Sequence, residues 1–337
     1  ADKALKDNNL PTTYPAAVID QVAAITAPAT AAQGTGKVQD LRSEPWSAVD
    51  NATTRDVDQI AFSTRLPDGS IRVRVAVTDV DALVPKDSPL DKHMLDATSS
   101  IYTPDKIYNM LPEKLSTDLI SLNQGEDRLA TVFDYTVAPD GSTKDEKVYQ
   151  AMVNNQAQLD YPTVGDWLEG KSDMPEKLKN NPVMADQIAM QNEASQRLQA
   201  FRAKNGALEF ASSESHFDMK DGNVVGVSSS PNQLSNKLVE NQMVTANQVQ
   251  SRFLREKNHP DRPNHPNGYP TIQRIVARPP QDKWTKIAAI AAQNGYKLPD
   301  DVNNKDAGPA LGNMLRDEKA KNPDKFADLS LSVVKLI

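Results

Sequence analysis

Three aspartates, Asp50, Asp56 and Asp58, lie close together in the first fifth of the chain. Carboxylates at this density repel one another unless water or a cation separates them, and hard cations such as Mg²⁺ prefer oxygen ligands. Magnesium held in this way activates water and stabilises the charge that develops during phosphodiester cleavage. The spacing is therefore compatible with metal-dependent phosphodiester chemistry. A solvated acidic turn is the alternative, because aspartate-rich turns are common.

Short motifs surround these acids in an ordered series. In chain order they are Asp40-Leu41-Arg42, the acids Asp50, Asp56 and Asp58, Tyr102-Thr103-Pro104, Met110-Leu-Pro-Glu-Lys-Leu-Ser116, Ser121-Leu-Asn123 and Asp127-Arg128. The series resembles the catalytic domain of the ribonuclease II / ribonuclease R (RNB) family, over roughly residues 37 to 337. The resemblance implies a Mg²⁺-dependent exoribonuclease that degrades single-stranded RNA from its 3′ end and releases nucleoside 5′-monophosphates.

The resemblance also implies a metal site. Asp50, Asp56 and Asp58 match three of the family's four acidic positions and are expected to hold Mg²⁺, whereas the fourth position is Gln59. A glutamine carbonyl can ligate a hard cation, but it is neutral and cannot act as a base. We therefore expect a catalytic set of Asp50, Asp56, Asp58 and Gln59, either as a variant with a neutral ligand or as an impaired site.

Four further residues match family positions that contact RNA. Tyr102 and Phe210 are expected to stack on the terminal bases, an interaction that tolerates any base. Tyr161 and Glu240 are expected to sense the ribose 2′-hydroxyl, which distinguishes RNA from DNA. From the residues alone, Phe210 could equally be a core residue and Glu240 a solvated residue of a helix.

Two other functions remain open. One is a catalytically impaired RNB-like RNA-binding protein, because Gln59 replaces an acid and the family's later segment with a catalytic arginine is missing from this sequence. The other is an acidic protein whose aspartates bind Ca²⁺ for structural reasons. That function does not explain the matches at Met110–Ser116 and Ser121–Arg128.

Composition adds limits of its own. The chain has 337 residues, a formal net charge of −7 and no cysteine, which excludes disulfides and thiolate metal sites. The sequence contains no run of about 18 apolar residues, so we expect no membrane span. The negative charge argues mildly against nucleic-acid binding. A locally positive channel would suffice for one RNA strand, and Arg72 and Arg74 could line it or lie on solvated faces.

The expected partner is single-stranded RNA, and the expected state is a cytoplasmic monomer with Mg²⁺ and no small-molecule cofactor. Residues 1–36 are predicted to form a helical lead and linker, and residues 37–337 an RNB-type catalytic domain that is truncated at its carboxyl terminus. Hairpins are predicted over 60–77 and 130–153, each turning at Pro-Asp-Gly. Strands that precede helices favour an α+β fold, with a mixed or antiparallel sheet flanked by helices. The predicted helices cover 175–204, 234–255 and 282–294.

Overall fold

The computed structural model describes residues 2–103, 106–210, 213–220, 223–256 and 277–337; Pro104 of the Tyr-x-Pro motif lies outside them. The strands in these ranges are β1 (Gln39–Asp40), β2 (Trp46–Asp50), β3 (Gln59–Arg65), β4 (Ile71–Thr78), β5 (Ile101–Tyr102), β6 (Ile107–Tyr108), β7 (Asp127–Val137), β8 (Thr143–Asp160), β9 (Ser213–Lys220) and β10 (Asn223–Pro231). The α-helices are α1 (Asp2–Asp7), α2 (Ala16–Ala24), α3 (Pro89–Ala97), α4 (Tyr161–Leu168), α5 (Glu176–Lys179), α6 (Pro182–Lys204), α7 (Leu234–Glu256), α8 (Gln281–Gln293), α9 (Ala307–Lys321) and α10 (Pro323–Val334).

The two predicted hairpins are confirmed as β3–β4 and β7–β8. Both turns place their glycine at positive φ, 78° at Gly69 and 85° at Gly141, where a side chain would be strained. The single helix predicted over 175–204 is wrong, because two helices occupy that segment. Asn181 caps the second helix by accepting a hydrogen bond from the Met184 N–H at 3.1 Å, and Pro182 occupies its first turn.

Five strands close into a barrel. The strand order is β1-β8-β2-β3-β4-β7, and β7 also pairs with β8, which joins the sheet into a ring. The 18 residues of β8 make this closure possible, because its first part pairs with β7 and its last part with β2. The β2–β8 pair is parallel, whereas β2–β3, β3–β4, β4–β7 and β7–β8 are antiparallel, so the predicted mixed sheet is confirmed.

Strand alternation separates the inside of the barrel from its helix-covered face. Trp46 and Phe62 meet edge to face inside, with ring centroids 4.5 Å apart, and Val57 and Leu122 from adjoining loops complete this core. On the other face, Ala61 belongs to a second core that α6 and α7 cover. Neighbouring residues of β3 therefore face different environments.

Arg72 and Arg74 are paired with one buried carboxylate, and their side chains are 35% and 14% exposed. Arg72 Nη2 lies 2.5 Å, and Arg74 Nε 3.1 Å, from Oδ2 of the buried Asp134 carboxylate. Tyr149 donates a further hydrogen bond to the same oxygen at 2.9 Å. These arginines neutralise a buried acid, a structural role that the sequence did not predict.

The amino-terminal lead packs against the segment that carries several of the motifs. Val18 and Val22 of α2 share a core with Leu111 and Leu115 of the Met110–Ser116 motif. The Tyr14 hydroxyl donates to the Asn109 carbonyl at 2.6 Å. The lead therefore supports the β5–β6 region, where Tyr102 lies.

Helices α8, α9 and α10 form a separate core with Trp284 and Leu315 among its buried residues, and Leu208 and Phe210 pack against it. Across the ranges that the structure describes, no helix is both long enough and apolar enough to cross a bilayer.

Candidate active site

Asp50 is the last residue of β2, at one end of the barrel. Its carboxylate accepts hydrogen bonds from the Asn51 N–H at 2.7 Å and the Thr54 hydroxyl at 3.0 Å. These bonds fix the start of the acid loop, residues 50–58. Asp50 is in register with Asp160, which caps α4 by accepting from the Thr163 N–H at 2.9 Å. The start of α4 is therefore held beside the acid loop.

The Ser121-Leu-Asn123 motif anchors the other end of the acid loop. The Val57 N–H donates to Ser121 Oγ at 2.9 Å, and the Leu122 N–H donates to the Val57 carbonyl at 2.8 Å. Val57 is 1% exposed and belongs to the barrel core. Its flanking acids remain accessible, because Asp56 is half-buried and Asp58 is exposed. One buried valine thus fixes the backbone between two acids.

Two asparagines hold this anchor in turn. Asn123 Nδ2 donates to the Thr117 carbonyl at 3.1 Å, and Asn155 Nδ2 of β8 donates to the Leu122 carbonyl at 2.9 Å. The Asp-Leu-Arg and Asp-Arg motifs are linked as well, because Arg42 donates to both Asp40 and Asp127, at 2.7 and 2.9 Å. Three of the motifs that marked the family resemblance therefore contribute to the scaffold around the acids.

The surroundings of Asp58 in the acid loop shift the pKa of its carboxyl group. Reduced hydration among the surrounding protein atoms is the main cause, and the negative charges of Asp50 and Asp56 add to it; together they raise the pKa of Asp58 to about 6. Hydrogen bonds from the backbone N–H groups of Asp58 and Gln59 to the carboxylate oppose part of this rise. Solvent still reaches the side chain, so the carboxylate is accessible to a ligand although its hydration is reduced.

The donor set of the acid loop suits Mg²⁺ in its chemistry. Asp50, Asp56 and Asp58 supply carboxylate oxygens, which Mg²⁺ prefers, and their mutual repulsion is the kind that a cation relieves. Within the described ranges, however, no three acidic or histidine side chains are grouped closely enough to hold a metal as they stand. The acids lie within electrostatic reach of one another, and their side chains would have to converge on a bound ion.

Tyr102 lies beside these acids. Its side chain is 66% exposed, and its hydroxyl shares a hydrogen bond with Asp56. Desolvation of the hydroxyl, followed by the charges of Asp56, Asp58 and Asp50, raises the pKa of Tyr102. An exposed ring fixed at its hydroxyl is well suited to stack on a base.

Gln59 is the predicted catalytic residue whose side chain the structure places elsewhere. As the first residue of β3 it precedes Ile60, which points into the barrel. The Gln59 side chain lines a small cavity of about 10 Å³, together with Gln191 of α6 and Val239 and Gln242 of α7. Within the described part of the chain, Gln59 contacts the acids through its backbone N–H, which donates to the Asp58 carboxylate. Strand alternation explains this placement and could have been read from the sequence.

Phe210 and Glu240 line one cavity of about 290 Å³ between α6, α7 and the segment 207–210. Phe210 is half-buried, and its packing against the carboxyl-terminal helices fixes the ring. Glu240 is paired with Lys237 at 2.7 Å. Tyr102 does not line this cavity, so the predicted RNA contacts fall into two places.

Tyr161 opens α4, next to the strand that ends in Asp50. Its half-buried ring packs against a core formed by Val49 of β2 and Leu238 of α7, among others. The Tyr161 carbonyl accepts a hydrogen bond from the Ser235 hydroxyl at 2.7 Å. Tyr161 therefore lies between the strand that carries Asp50 and the helix that carries Glu240.

Sequence reasoning did not identify Ser121 or Arg202 as site residues. Ser121 belongs to a recognised motif, but the motif does not reveal that its hydroxyl accepts from the backbone between two acids. Arg202 lines the same cavity as Phe210 and Glu240, and nothing in its local sequence distinguishes it from other helical arginines.

A model of the RNB domain matches residues 38–337, and the chain therefore belongs to the RNB family. It is similar to ribonuclease R of Escherichia coli strain K12, with 29% identity over 299 residues, which are 88% of this chain and 35% of that protein. The chain thus spans about a third of the length of this curated relative.

Two solved structures share the fold. A Mycoplasma genitalium RNase R in complex with ribose methylated single-stranded RNA has a TM-score of 0.84 at 22% identity, covering 98% of this chain and 49% of that chain. Yeast Ssd1, described as a pseudonuclease, has a TM-score of 0.65 at 16% identity, covering 92% of this chain and 35% of that chain. At these identities the likeness shows a common fold.

Proposed function

We propose that this chain acts as a Mg²⁺-dependent exoribonuclease, which shortens single-stranded RNA from its 3′ end and releases nucleoside 5′-monophosphates. The observation that carries the proposal is the acid loop, in which Ser121 anchors Val57 between Asp56 and Asp58 while Asp50 and Tyr102 lie beside them. Membership of the RNB family and similarity to a protein named ribonuclease R support it.

Asp50, Asp56 and Asp58 are the residues that would hold Mg²⁺. When bound, the metal would supply Lewis-acid stabilisation and an activated water for phosphodiester hydrolysis. Asp58 is mostly deprotonated at neutral pH, because its pKa of about 6 lies below 7. The Ser121 anchor fixes the backbone of Asp56 and Asp58, so the entropy lost on binding a cation is reduced.

The RNA strand would be held at two places. The exposed ring of Tyr102 would stack on a base next to the acids. Phe210 and Glu240 share a cavity, in which one nucleotide would place its base on the ring and its 2′-hydroxyl near the carboxylate. Tyr161 lies between these places and is proposed to contact the ribose.

A second candidate is RNA binding without turnover. The observation that favours it is Gln59, a neutral residue whose side chain lies against α6 and α7 and leaves the acid loop with three carboxylates. The yeast protein described as a pseudonuclease has the same fold. Both candidates predict RNA binding, so turnover separates them.

The test is a gel time course on 5′-labelled single-stranded RNA, with Mg²⁺ or EDTA, comparing the parent with Gln59→Asp and Asp58→Asn. The proposal predicts Mg²⁺-dependent shortening from the 3′ end by the parent and none by Asp58→Asn. RNA that the parent binds but never shortens would support the binding protein. Shortening by Gln59→Asp alone would locate the defect at this position.

A further inference from the structure

In the part of the chain that the structure describes, the cavity lined by Phe210 and Glu240 contains two acids that are paired with lysines and one arginine that is not paired with an acid. Both of its acids are already engaged by lysines: Glu209 with Lys319 at 2.6 Å and Glu240 with Lys237 at 2.7 Å. Arg202, from the last turn of α6, lines the same wall. Among the described residues, this arginine has no carboxylate in ion-pair contact.

The Arg202 guanidinium instead donates to a neutral group, the Asn241 side-chain oxygen. Asn241 is 1% exposed and is itself held in place, because its Nδ2 donates to Ser195 Oγ at 2.7 Å. A guanidinium carries five N–H donors, and this is its one hydrogen bond to the described residues. A half-buried cation thus keeps unused donors at the wall of a cavity.

Helix α7 borders both this cavity and the small cavity beside Gln59. Leu238 and Val239 line the small cavity beside Gln59, whereas Glu240 and Asn241 line the larger cavity with Arg202. Neighbouring residues of one helix therefore border both places, and a strand that occupies the larger cavity would have its phosphates close to Arg202.

We propose that Arg202 is a phosphate-binding residue, which holds the RNA phosphodiester next to the nucleotide seated between Phe210 and Glu240. This inference rests on the proposed function, because it assumes that RNA enters the cavity. Guanidinium pairs with phosphate through parallel N–H···O bonds. Lys237, which lines the cavity, and Lys319, which pairs with one of its acids, are both engaged by carboxylates and leave this task to Arg202.

Salt dependence provides the decisive measurement. Each phosphate neutralised on a single strand contributes about −0.7 to the slope of log affinity against log salt. We would measure binding of fluorescein-labelled single-stranded RNA by anisotropy in EDTA, from 50 to 200 mM salt, for the parent and for Arg202→Gln. The variant should bind more weakly with a slope smaller by about 0.7, so that over this range the parent loses roughly 2.6-fold more affinity than the variant.

Asn241→Asp should neutralise the positive charge of Arg202 while the arginine itself stays unchanged. The new carboxylate keeps the oxygen that Arg202 already contacts and pairs with the guanidinium, so the slope should again fall by about 0.7. Arg202→Lys keeps the charge and should keep the slope. Arg65→Gln is the control, because it lowers the net charge by the same amount at an exposed pair with Glu193 and should leave the slope unchanged.

Unchanged slopes in both Arg202→Gln and Asn241→Asp, with both variants folded by thermal melt, would overturn the inference. A slope that falls equally in Arg65→Gln would also overturn it, because the effect would then be general. These results leave the proposed function standing if the parent still degrades RNA. A parent that binds no RNA at all would instead remove the proposed function, and this inference with it.

Discussion

The Ser121 hydroxyl accepts a hydrogen bond from the Val57 N–H at 2.9 Å, and through this bond a residue 64 positions away fixes the backbone between Asp56 and Asp58. The bond is buried, so the valine N–H has no access to water. The acid loop is therefore held in a defined conformation by a residue that itself would contact neither metal nor RNA. Ser121 is a positioning residue for the proposed site.

Ser121→Ala should reduce turnover more than RNA binding. The substitution leaves a buried N–H without an acceptor, which costs about 1–3 kcal/mol of stability. A displaced acid loop should lower kcat by up to about 100-fold, whereas the RNA-contacting residues stay in place. Urea unfolding, steady-state kinetics and anisotropy in EDTA measure the three quantities.

Ser116→Ala is the matched control, because the buried Oγ of Ser116 has no hydrogen-bond partner among the described residues. It should change neither stability nor kcat appreciably. A Ser121→Ala protein with the parental kcat would show that the anchor does not position the acids.

Asp58→Asn should stabilise the protein when Mg²⁺ is absent. The pKa of Asp58 is about 6 in the folded chain and 3.8 by reference, so the folded state binds more protons between these values. Stability then falls as pH rises from about 4 to 6 and stays reduced above that range. In EDTA at pH 7.5 the variant should melt at a higher temperature than the parent. Asp81→Asn, at an exposed acid outside the loop, should show no such gain.

Magnesium should stabilise the parent in a pH-dependent way. A protonated Asp58 cannot bind the cation well, because ligand oxygens must be deprotonated. The rise in Tm caused by Mg²⁺ should therefore be large at pH 7.5, smaller at pH 5, and nearly absent in Asp58→Asn. Equal increments for the parent at both pH values would argue against Asp58 as a ligand.

Tyr102→Ala should weaken RNA binding by about 1–3 kcal/mol, the contribution of one base stacked on an aromatic ring. Tyr102→Phe keeps the ring and loses only the hydroxyl that contacts Asp56, so its affinity should stay near the parental value. Anisotropy in EDTA compares the variants without turnover. Equal losses in both would assign the effect to the hydroxyl.

Glu240→Ala should narrow the preference for RNA over DNA of the same sequence, because a carboxylate accepts a hydrogen bond from the 2′-hydroxyl that DNA lacks. Glu209→Gln is the control in the same cavity, since Lys319 and Gln199 engage both oxygens of that carboxylate, at 2.6 and 3.2 Å, whereas Lys237 engages one oxygen of Glu240. Competition between matched RNA and DNA strands measures the preference. If Glu240→Ala discriminates as well as the parent, the ribose is sensed elsewhere.

Local sequence patterns were sufficient to predict much of the fold. The alternation around the Pro-Asp-Gly turns predicted both hairpins. The ends of α7 and α8 lie within one residue of the predicted ends. Barrel closure was not predicted, because it depends on β8 pairing with both β7 and β2, which no local pattern encodes. The β9–β10 hairpin was also missed, because its sequence lacks a clear alternation.

The candidate site was predictable to the extent that it is local. Asp50, Asp56 and Asp58 are close in sequence, and the structure keeps them within electrostatic reach. The shared cavity of Phe210 and Glu240 depends on how α6 and α7 pack, so the sequence could not place Arg202 beside them.

The most direct test of the central claim is to identify the product released from single-stranded RNA that carries a labelled phosphate between its last two nucleotides. With Mg²⁺ the parent should release the label as a nucleoside 5′-monophosphate, and EDTA or Asp58→Asn should abolish the release. Labelled nucleoside 3′-phosphate, cleavage within the strand, or equal release in EDTA would contradict the account.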